Sequence, residues 1–485
     1  MTTPHNWTLF GAEYRRALSD SEFAFYPTSH NGLGDMFLHL AFLAPKLLVQ
    51  RERVAIAWAV IRYRHPLLMS KIHVPGNDIH SAGFSFVPPE TVDDALADAR
   101  TALYFKNESK EELIDKYMNG PRVLSDSHLS FLVLSTPSDA DDAVEGEYDL
   151  LMCAPHFTGD GTSLHQSTHE LLALLASPKS DAELMEEINV SLNWEERLPP
   201  SAETRLSVPK VGFARAVSKV NFIQTMRKEI GGHSLPREQI APQKTTIFER
   251  AFTQDQTKAI LARCKANGVT VNHALSVLCN VAWARSNTGP DASELPIMLY
   301  TAINLRPHLA AHSASTYWFL ALTYYTIILP SFLPKSVNVF WHRARQVKAQ
   351  TRKTVSSPFL VSRALEMAGT RATRARGNTT TPVPTLEEVT GVSATVPPAP
   401  SAALLGLSLI GNLDATYTRT AYPAFELMTV TTASRQKAGG MLLLEHTFGG
   451  RLWLHLCWDV NGFGAEGKVE RFWEGLQNAV QEFLC

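Results

Sequence analysis

The residues whose types and spacing best suit chemistry lie in one short stretch, residues 149–175. His156 stands four positions before Asp160, and Gly161 follows directly. An imidazole titrates close to neutral pH, so a histidine held in a fixed turn can take a proton from a hydroxyl or an amine. The same pattern also fits a surface turn whose histidine is satisfied by its surroundings. The local pattern leaves both interpretations open.

The elements around this turn are a strand and a helix. Residues 148–154 form an apolar run typical of a buried strand, and leucines at helical spacing follow the turn. We expect the strand to fix His156, and Gly159 and Gly161 to permit close backbone approach or positive φ. Asp160 can accept backbone N–H groups and hold the turn. The stretch therefore predicts strand, tight turn and helix.

Metal binding is not predicted. His165 and His169 have i, i+4 spacing in the helix, but no nearby carboxylate or third histidine completes a ligand set.

The five cysteines are scattered and form no CxxC pair, which indicates free thiols in a reducing compartment. The first twenty residues contain no apolar signal segment. These features together predict a cytoplasmic protein.

Overall composition excludes several classes of partner. The 485 residues carry a formal net charge of −2, so we expect no nucleic-acid binding. Residues 317–334 are the most apolar run, but threonine and tyrosine interrupt it and two prolines lie at its end. A membrane span needs about 20 apolar residues, so a buried strand with its exit loop is predicted instead.

The length of the chain and the positions of its turn and linker segments predict an α/β protein with two lobes. We expect an N-terminal lobe at 1–200, a connector at 201–243 and a C-terminal lobe at 244–485. Residues 369–402 are rich in Thr, Pro and Ala, which predicts a long mobile loop. Residues 88–118 are predicted to be helical and exposed. The Gly439-Gly440 and Gly449-Gly450 pairs are predicted to form hairpin turns.

Three features together resemble one family. They are the Arg-His-Pro-Leu-Leu helix end at 64–68, the Asn-Leu-Arg-Pro turn at 304–307 and the HxxxDG turn at 156–161. The chain is similar to the acyl-CoA-dependent acyltransferase superfamily of plant BAHD enzymes, chloramphenicol acetyltransferase and condensation domains. It looks closest to the fungal O-acetyltransferases of secondary metabolism. The resemblance covers most of the chain and implies two similar α/β lobes with mixed sheets and an active-site tunnel between them.

The resemblance also implies roles for individual residues. His156 would be the general base for attack of a small-molecule hydroxyl, such as that of a terpenoid, on the thioester of acyl-CoA, most simply acetyl-CoA. Asp160 would serve the site structurally, beside Gly161, in a salt bridge with Arg306 of the other lobe. Ser408, Gly411 and Asn412 would line the tunnel. No metal and a monomeric state are expected.

The chain also departs from the family pattern. Pro155 stands where many members have a further histidine, and the plant motif DFGWG is absent, with residues 459–464 as the nearest stretch. Two alternatives stay open. One is a condensation-type enzyme that takes an acyl chain from a carrier protein or uses an amine acceptor. The other is a non-catalytic binding protein on the same fold.

Overall fold

The computed structural model describes residues 6–136, 144–188, 193–208, 212–229, 232–237, 242–286, 295–312, 314–332, 336–377, 403–463 and 467–485. The fold is mixed α/β, with mixed sheets and two lobes. The strands are β1 (Thr8–Phe10), β2 (Glu13–Ala17), β3 (Asp35–Pro45), β4 (Lys71–His73), β5 (Gly83–Phe86), β6 (Leu103–Lys106), β7 (Phe131–Ser135), β8 (Glu145–Pro155), β9 (Thr245–Ala251), β10 (Ile297–Asn304), β11 (Leu322–Leu329), β12 (Leu405–Asn412), β13 (Glu426–Ser434), β14 (Met441–Phe448) and β15 (Arg451–Asp459).

Helices cover the sheets and connect them. They are α1 (Asp20–Phe23), α2 (Tyr26–Ser29), α3 (Arg51–Arg64), α4 (Val92–Thr101), α5 (Lys110–Asn119), α6 (Gly161–Leu175), α7 (Asp181–Met185), α8 (Trp194–Arg197), α9 (Gly212–Met226), α10 (Gln254–Ala266), α11 (Val271–Ser286), α12 (Val337–Val355), α13 (Leu360–Ala375) and α14 (Lys468–Phe483). Short 3-10 turns occur at Pro66–Leu68 and Arg306–His308.

Three sheets organise the described residues. A small antiparallel sheet has the order β1-β2-β5-β4, and a five-stranded sheet has the order β13-β3-β8-β7-β6. The third sheet has the order β11-β10-β12-β14-β15-β9, with parallel pairing of β12 to both of its neighbours. Strand β13 comes late in the chain but pairs with β3, from Glu426 opposite Leu43 to Ser434 opposite Met36. One strand from beyond residue 243 therefore completes the sheet that carries the 148–156 segment.

Hydrophobic burial is divided among two large cores and a smaller cluster between the sheets. The first core packs helix α3, buried along most of its length, against strands β3 and β8. The second core packs α11 and α14 against the six-stranded sheet. The smaller cluster joins Phe37 and Cys153 of one sheet to Leu444 and Cys457 of the other. Apolar contact between the sheets thus fixes the position of β8, whose end carries the candidate site.

Several local predictions are confirmed. The Thr253-Gln254-Asp255-Gln256 segment predicts a helix cap. In the structure Thr253 caps α10 and accepts a hydrogen bond from the Gln256 N–H in a capping box. The Gly449-Gly450 pair connects β14 to β15 in a two-residue hairpin, with φ of 63° and 69°. Both values lie in the left-handed region, which glycine occupies at little cost.

Three predictions about elements are wrong. Residues 88–118 hold two helices, α4 and α5, with strand β6 between them, because the apolar 103–106 segment pairs with β7. The Gly439-Gly440 pair does not join a hairpin, since β13 and β14 lie in different sheets. The predicted loop at 369–402 begins too early: its first residues belong to α13, whose Ala364, Ala368 and Ala372 share a buried face. Residues 378–402 lie outside the described residues.

Candidate active site

Strand β8 delivers His156 to the end of the five-stranded sheet. The strand pairs with β3 on one side and β7 on the other, and its last eight residues are buried. The carbonyl of Pro155 then accepts hydrogen bonds from the Thr158 N–H at 3.0 Å and the Thr158 hydroxyl at 2.8 Å. This turn follows the buried strand at once, so the backbone of His156 has little freedom.

The His156 ring is held at one edge and on one face. Its Nδ1 lies 3.0 Å from the carbonyl oxygen of Gly159. Because a carbonyl can only accept, Nδ1 must carry the proton, which leaves the Nε2 lone pair as the acceptor of a further proton. The Phe25 ring stacks on the imidazole with centroids 4.6 Å apart and an angle of 12° between planes. Tautomer and ring plane are thus both fixed.

The protonation state of His156 follows from its surroundings. Burial lowers the pKa of the imidazole below its usual value, and the nearby Arg371 guanidinium lowers that pKa further, whereas Asp160 opposes the shift. Part of the residue nevertheless stays accessible to solvent. A neutral imidazole with one accessible side can serve as a base near neutral pH.

Asp160 begins helix α6 and ties it to the other half of the chain. Its Oδ1 accepts the N–H groups of Thr162 at 3.1 Å and Ser163 at 3.3 Å, the usual arrangement of an N-cap. Its Oδ2 accepts Nη1 of Arg306 at 2.7 Å and the N–H of Ala321 at 3.2 Å. Asp160 is 1% exposed, so all four contacts are made away from water.

Arg306 uses its second terminal nitrogen to hold a loop. Nη2 donates to the carbonyl oxygens of Tyr317 at 3.0 Å and Phe319 at 2.9 Å, and to the Ser163 hydroxyl at 3.2 Å. The guanidinium carbon lies 4.9 Å from the centre of the Phe319 ring. The structure therefore brings together Asp160 and Arg306, and adds the 317–319 segment and Ser163 to the same network.

The two glycines of the turn differ. A Cβ added at Gly159 would lie 3.1 Å from both the Cβ and the Oγ of Ser163 and 3.3 Å from Nε1 of Trp318, so close approach requires glycine there. A Cβ at Gly161 would meet nothing within 4 Å, and Gly161 does not have a positive φ. The expectation that Gly161 serves close approach or positive φ is therefore wrong: it is the first residue of α6 and faces open space.

The 64–68 segment supports the same network from behind. His65, 3% exposed, places Nδ1 2.8 Å from the Thr316 hydroxyl, and its ring centroid lies 4.2 Å from that of Tyr317. Arg64 pairs with Glu170 of α6 at 3.5 Å and also contacts Glu187. The helix end thus braces both α6 and the loop that Arg306 binds.

Several of these side chains were missed by sequence reasoning. Phe25 and Arg371 lie far from His156 along the chain, and no local spacing signals their contact. Trp318 lies in the apolar run at 317–334, which predicts a strand, and Thr316 directly precedes that run. The strand prediction is wrong for the first residues of the run, because β11 begins at Leu322. The sequence signal nearest to Phe25 is the turn chemistry of residues 26–35, rich in Gly with one Pro, and it does not indicate contact with His156.

The three predicted lining residues lie on strand β12. Ser408 pairs in register with Leu444, which belongs to the cluster between the two sheets, so Ser408 faces that junction. Gly411 has φ of 84° at a β-bulge, and Asn412 accepts the Asp414 N–H at 3.1 Å. Among the described residues, no hydrogen bond links these three residues to His156 or Asp160.

Other predicted features have simple structural partners. His165 and His169 lie 3.0 Å and 3.2 Å from the hydroxyls of Tyr417 and Tyr422. Asp459, in the stretch nearest to DFGWG, accepts the N–H groups of Lys244 and Gly439. Within the described ranges, no group of three His, Cys, Asp or Glu residues could hold a metal ion. No helix in that part of the chain is long and apolar enough to cross a membrane.

Comparison with solved structures identifies the fold. No protein-family model and no curated protein matches the sequence. The structure is similar to trichothecene 15-O-acetyltransferase from Fusarium sporotrichioides, with a TM-score of 0.78, 14% identity and coverage of 99% of this chain and 98% of that one. It is also similar to the first condensation domain of the calcium-dependent antibiotic synthetase, with a TM-score of 0.64, 12% identity and 97% coverage of both chains. For the condensation domain of the monacolin K polyketide synthase the TM-score is 0.60, with 12% identity and coverage of 99% and 98%.

Proposed function

We propose that this protein is an acyl-CoA-dependent O-acyltransferase that acylates a hydroxyl of a small natural product such as a terpenoid. Acetyl-CoA is the simplest donor, and a cytoplasmic monomer is the expected form. The observation that carries the proposal is the state of His156: Nδ1 is engaged by Gly159, the pKa is lowered, and Nε2 is left as a proton acceptor. The trichothecene acetyltransferase of the same fold supports the choice of reaction.

The proposed reaction needs one base and one thioester. His156 Nε2 takes the proton of the acceptor hydroxyl while the oxygen attacks the thioester carbonyl and forms the new C–O bond. The tetrahedral oxyanion collapses, the C–S bond breaks, and the imidazolium returns the proton to the leaving thiolate. The products are the ester and free coenzyme A, with no acyl-enzyme. Asp160 and Arg306 act by positioning the turn.

An assay of thiol release tests this proposal. Purified protein is incubated with acetyl-CoA and a panel of natural-product alcohols, and free coenzyme A and ester are quantified. His156→Ala should lower kcat/KM by ~10²–10⁴-fold if His156 is the general base. His342→Ala, which removes an exposed histidine of helix α12, is the matched control and should keep full activity. A wild-type rate in the His156 variant would refute the mechanism.

A second candidate is a condensation-type enzyme. Two condensation domains share the fold over almost the whole length of both chains, which favours this alternative over other classes. Such an enzyme would take the acyl group from a carrier protein or deliver it to an amine. Offering the same acyl chain on coenzyme A and on a carrier protein separates the candidates, because transfer from the carrier alone would identify the condensation type. Absence of transfer from either donor would favour a non-catalytic binding protein.

A further inference from the structure

The hydrogen bond at Nδ1 does not by itself set the direction of the second nitrogen of His156. The Gly159 carbonyl oxygen, 3.0 Å from Nδ1, determines which nitrogen carries the proton. The last torsion of a histidine side chain has a broad energy profile, so one hydrogen bond leaves the ring free to tilt. The contact that sets the ring plane is the Phe25 ring, whose centroid lies 4.6 Å from that of the imidazole at an angle of 12°.

Phe25 lies outside the β8 turn, so other parts of the chain must fix its own position. It directly precedes the short helix α2. Gly34 borders the ring: a Cβ added there would lie 3.8 Å from Cδ1 of Phe25, and the φ of 80° favours glycine. The guanidinium carbon of Arg371 lies 4.5 Å from the centre of the Phe25 ring. The ring that packs on His156 is therefore itself packed against Arg371.

Arg371 belongs to helix α13 and is half-buried. Its guanidinium carbon also lies 4.7 Å from the centre of the Tyr324 ring, on strand β11. Among the described residues, no carboxylate oxygen lies within 4 Å of this guanidinium. A planar, weakly hydrated guanidinium stacks well on aromatic faces. Packing against two rings, rather than an ion pair in this part of the structure, therefore sets the position of Arg371.

Helix α13 meets the segment before Phe25 at a second point. Arg376, the C-cap of α13, places its guanidinium carbon 4.5 Å from the centre of the Phe23 ring and pairs with Asp20 at 3.4 Å. Helices α1 and α13 also pack against each other. The contact between Arg371 and Phe25 is consequently one part of a wider interface, and not the isolated approach of one long side chain.

We infer that Phe25 and Arg371 are positioning residues for the proposed reaction, with Arg371 holding the Phe25 ring flat against the imidazole so that Nε2 of His156 points at the acceptor hydroxyl. The inference rests on the proposed function and adds two side chains to the surroundings of its base. Neither side chain bonds to substrate, because Phe25 acts on the imidazole and Arg371 acts through Phe25. Proton transfer depends steeply on the placement of the base, so a tilted ring should lower kcat without weakening binding.

Substitutions at the two positions test the inference by separating kcat from KM. Phe25→Leu and Arg371→Met should each lower kcat about 10- to 100-fold, while KM for acetyl-CoA and for the alcohol stays within about threefold. The matched control is Arg51→Met, which removes a guanidinium 4.7 Å from the Phe105 ring at the start of helix α3 and should keep kcat. Thermal melts verify that each variant is folded. An unchanged kcat in the Arg371 variant would overturn the inference.

Arg371→Lys separates the position of the side chain from its charge. Lysine keeps the positive charge, but its ammonium lacks the flat surface that stacks on a ring. The charged groups that act on the imidazole are Asp160, at the start of α6, and Arg371. Arg371→Lys should therefore keep the acid limb of the pH–rate profile near its wild-type position and still lower kcat on the plateau. Full recovery of the plateau with lysine would show an effect of charge alone and would refute the positioning role.

A spectroscopic measurement needs no turnover and distinguishes failure of the inference from failure of the proposed function. The stacked Phe25 ring shields the carbon-bound protons of the imidazole, so NMR of histidine-labelled protein should show upfield shifts for His156, assigned with His156→Gln. Phe25→Leu and Arg371→Met should both reduce these shifts. Reduced shifts in a protein that transfers no acyl group would refute the proposed function alone. Acyl transfer with unchanged shifts and rates in both variants would refute only the inference.

Discussion

Asp160 and Arg306 form an ion pair of 2.7 Å although 146 positions separate them in the chain. Asp160 caps the helix that follows His156, and Arg306 follows strand β10 of the six-stranded sheet. The pair therefore ties the HxxxDG turn of one sheet to the end of a strand in the other. The Asp160 carboxylate accepts four hydrogen bonds in all, and because the group is buried, these bonds replace hydration by water.

Removal of the Arg306 side chain should destabilise the folded protein. Arg306→Ala leaves the buried Asp160 carboxylate without its cation, which should lower the free energy of unfolding by about 3–5 kcal/mol. Arg345→Ala, at an exposed site on α12, serves as control and should stay within about 0.5 kcal/mol of wild type. Denaturant titration measures both. The combined variant Asp160→Asn with Arg306→Ala should lose less than the sum of the two single losses, and strict additivity would contradict the coupling.

The two glycines of the turn should respond in opposite ways to alanine. Gly159→Ala forces a methyl group against Ser163 and Trp318, so we expect a loss of about 1–3 kcal/mol in the free energy of unfolding. Gly161→Ala meets open space at the first helical residue and should keep or raise stability by about 0.4–1 kcal/mol. Thermal melts of the two variants measure which one is more stable. A Gly161 variant less stable than the Gly159 variant would be incompatible with the observed turn.

The acid limb of the pH–rate profile should lie below the usual histidine pKa of about 6.5. Burial favours the neutral imidazole of His156, and only the neutral imidazole can act as the base. Activity should therefore persist to lower pH than it would for a histidine with an ordinary pKa. Arg371 also lowers this pKa, hence Arg371→Gln should shift the acid limb of kcat/KM to higher pH. A shift to lower pH, or none, would show that Arg371 does not act on His156.

Glu445 should make stability depend on pH. Its carboxylate is fully buried, neither oxygen has a hydrogen-bond partner among the described residues, and burial raises its pKa to about 7. Between the unfolded value of about 4.5 and the folded value, the native state holds a proton that the unfolded state releases, so stability falls as pH rises. Glu445→Gln removes this loss.

The size of the effect follows from the width of that interval. At pH 8, Glu445→Gln should exceed wild type by about 3 kcal/mol in the free energy of unfolding, whereas near pH 4 the two should agree. Denaturant titrations at both pH values measure this difference. Glu474→Gln, on the exposed side of α14, should show no such trend. Equal pH dependence of the Glu445 variant and wild type would indicate an unperturbed carboxyl.

The sequence correctly predicted the structural features that depend on interactions between residues close together in the chain. The strand, turn and helix around His156, the cap at Thr253 and the hairpin at Gly449-Gly450 depend on neighbours within a few residues. The stacking of Phe25 on His156 and the pairing of β13 with β3 depend on chain segments that meet only after folding. Periodicity carries no record of such contacts. The Arg306 partner was expected only because of a family resemblance.

Strand β13 has a consequence for how the protein is made. Until residues 426–434 have been synthesised, strand β3 has an open edge along eight positions of its register with β13. An apolar strand with an unpaired edge is a template for pairing between molecules and for aggregation. The segment that carries β3 must therefore remain without this sheet neighbour until β13, far later in the sequence, has been synthesised. Splitting the gene at the connector should accordingly yield an aggregating N-terminal product rather than a separable lobe.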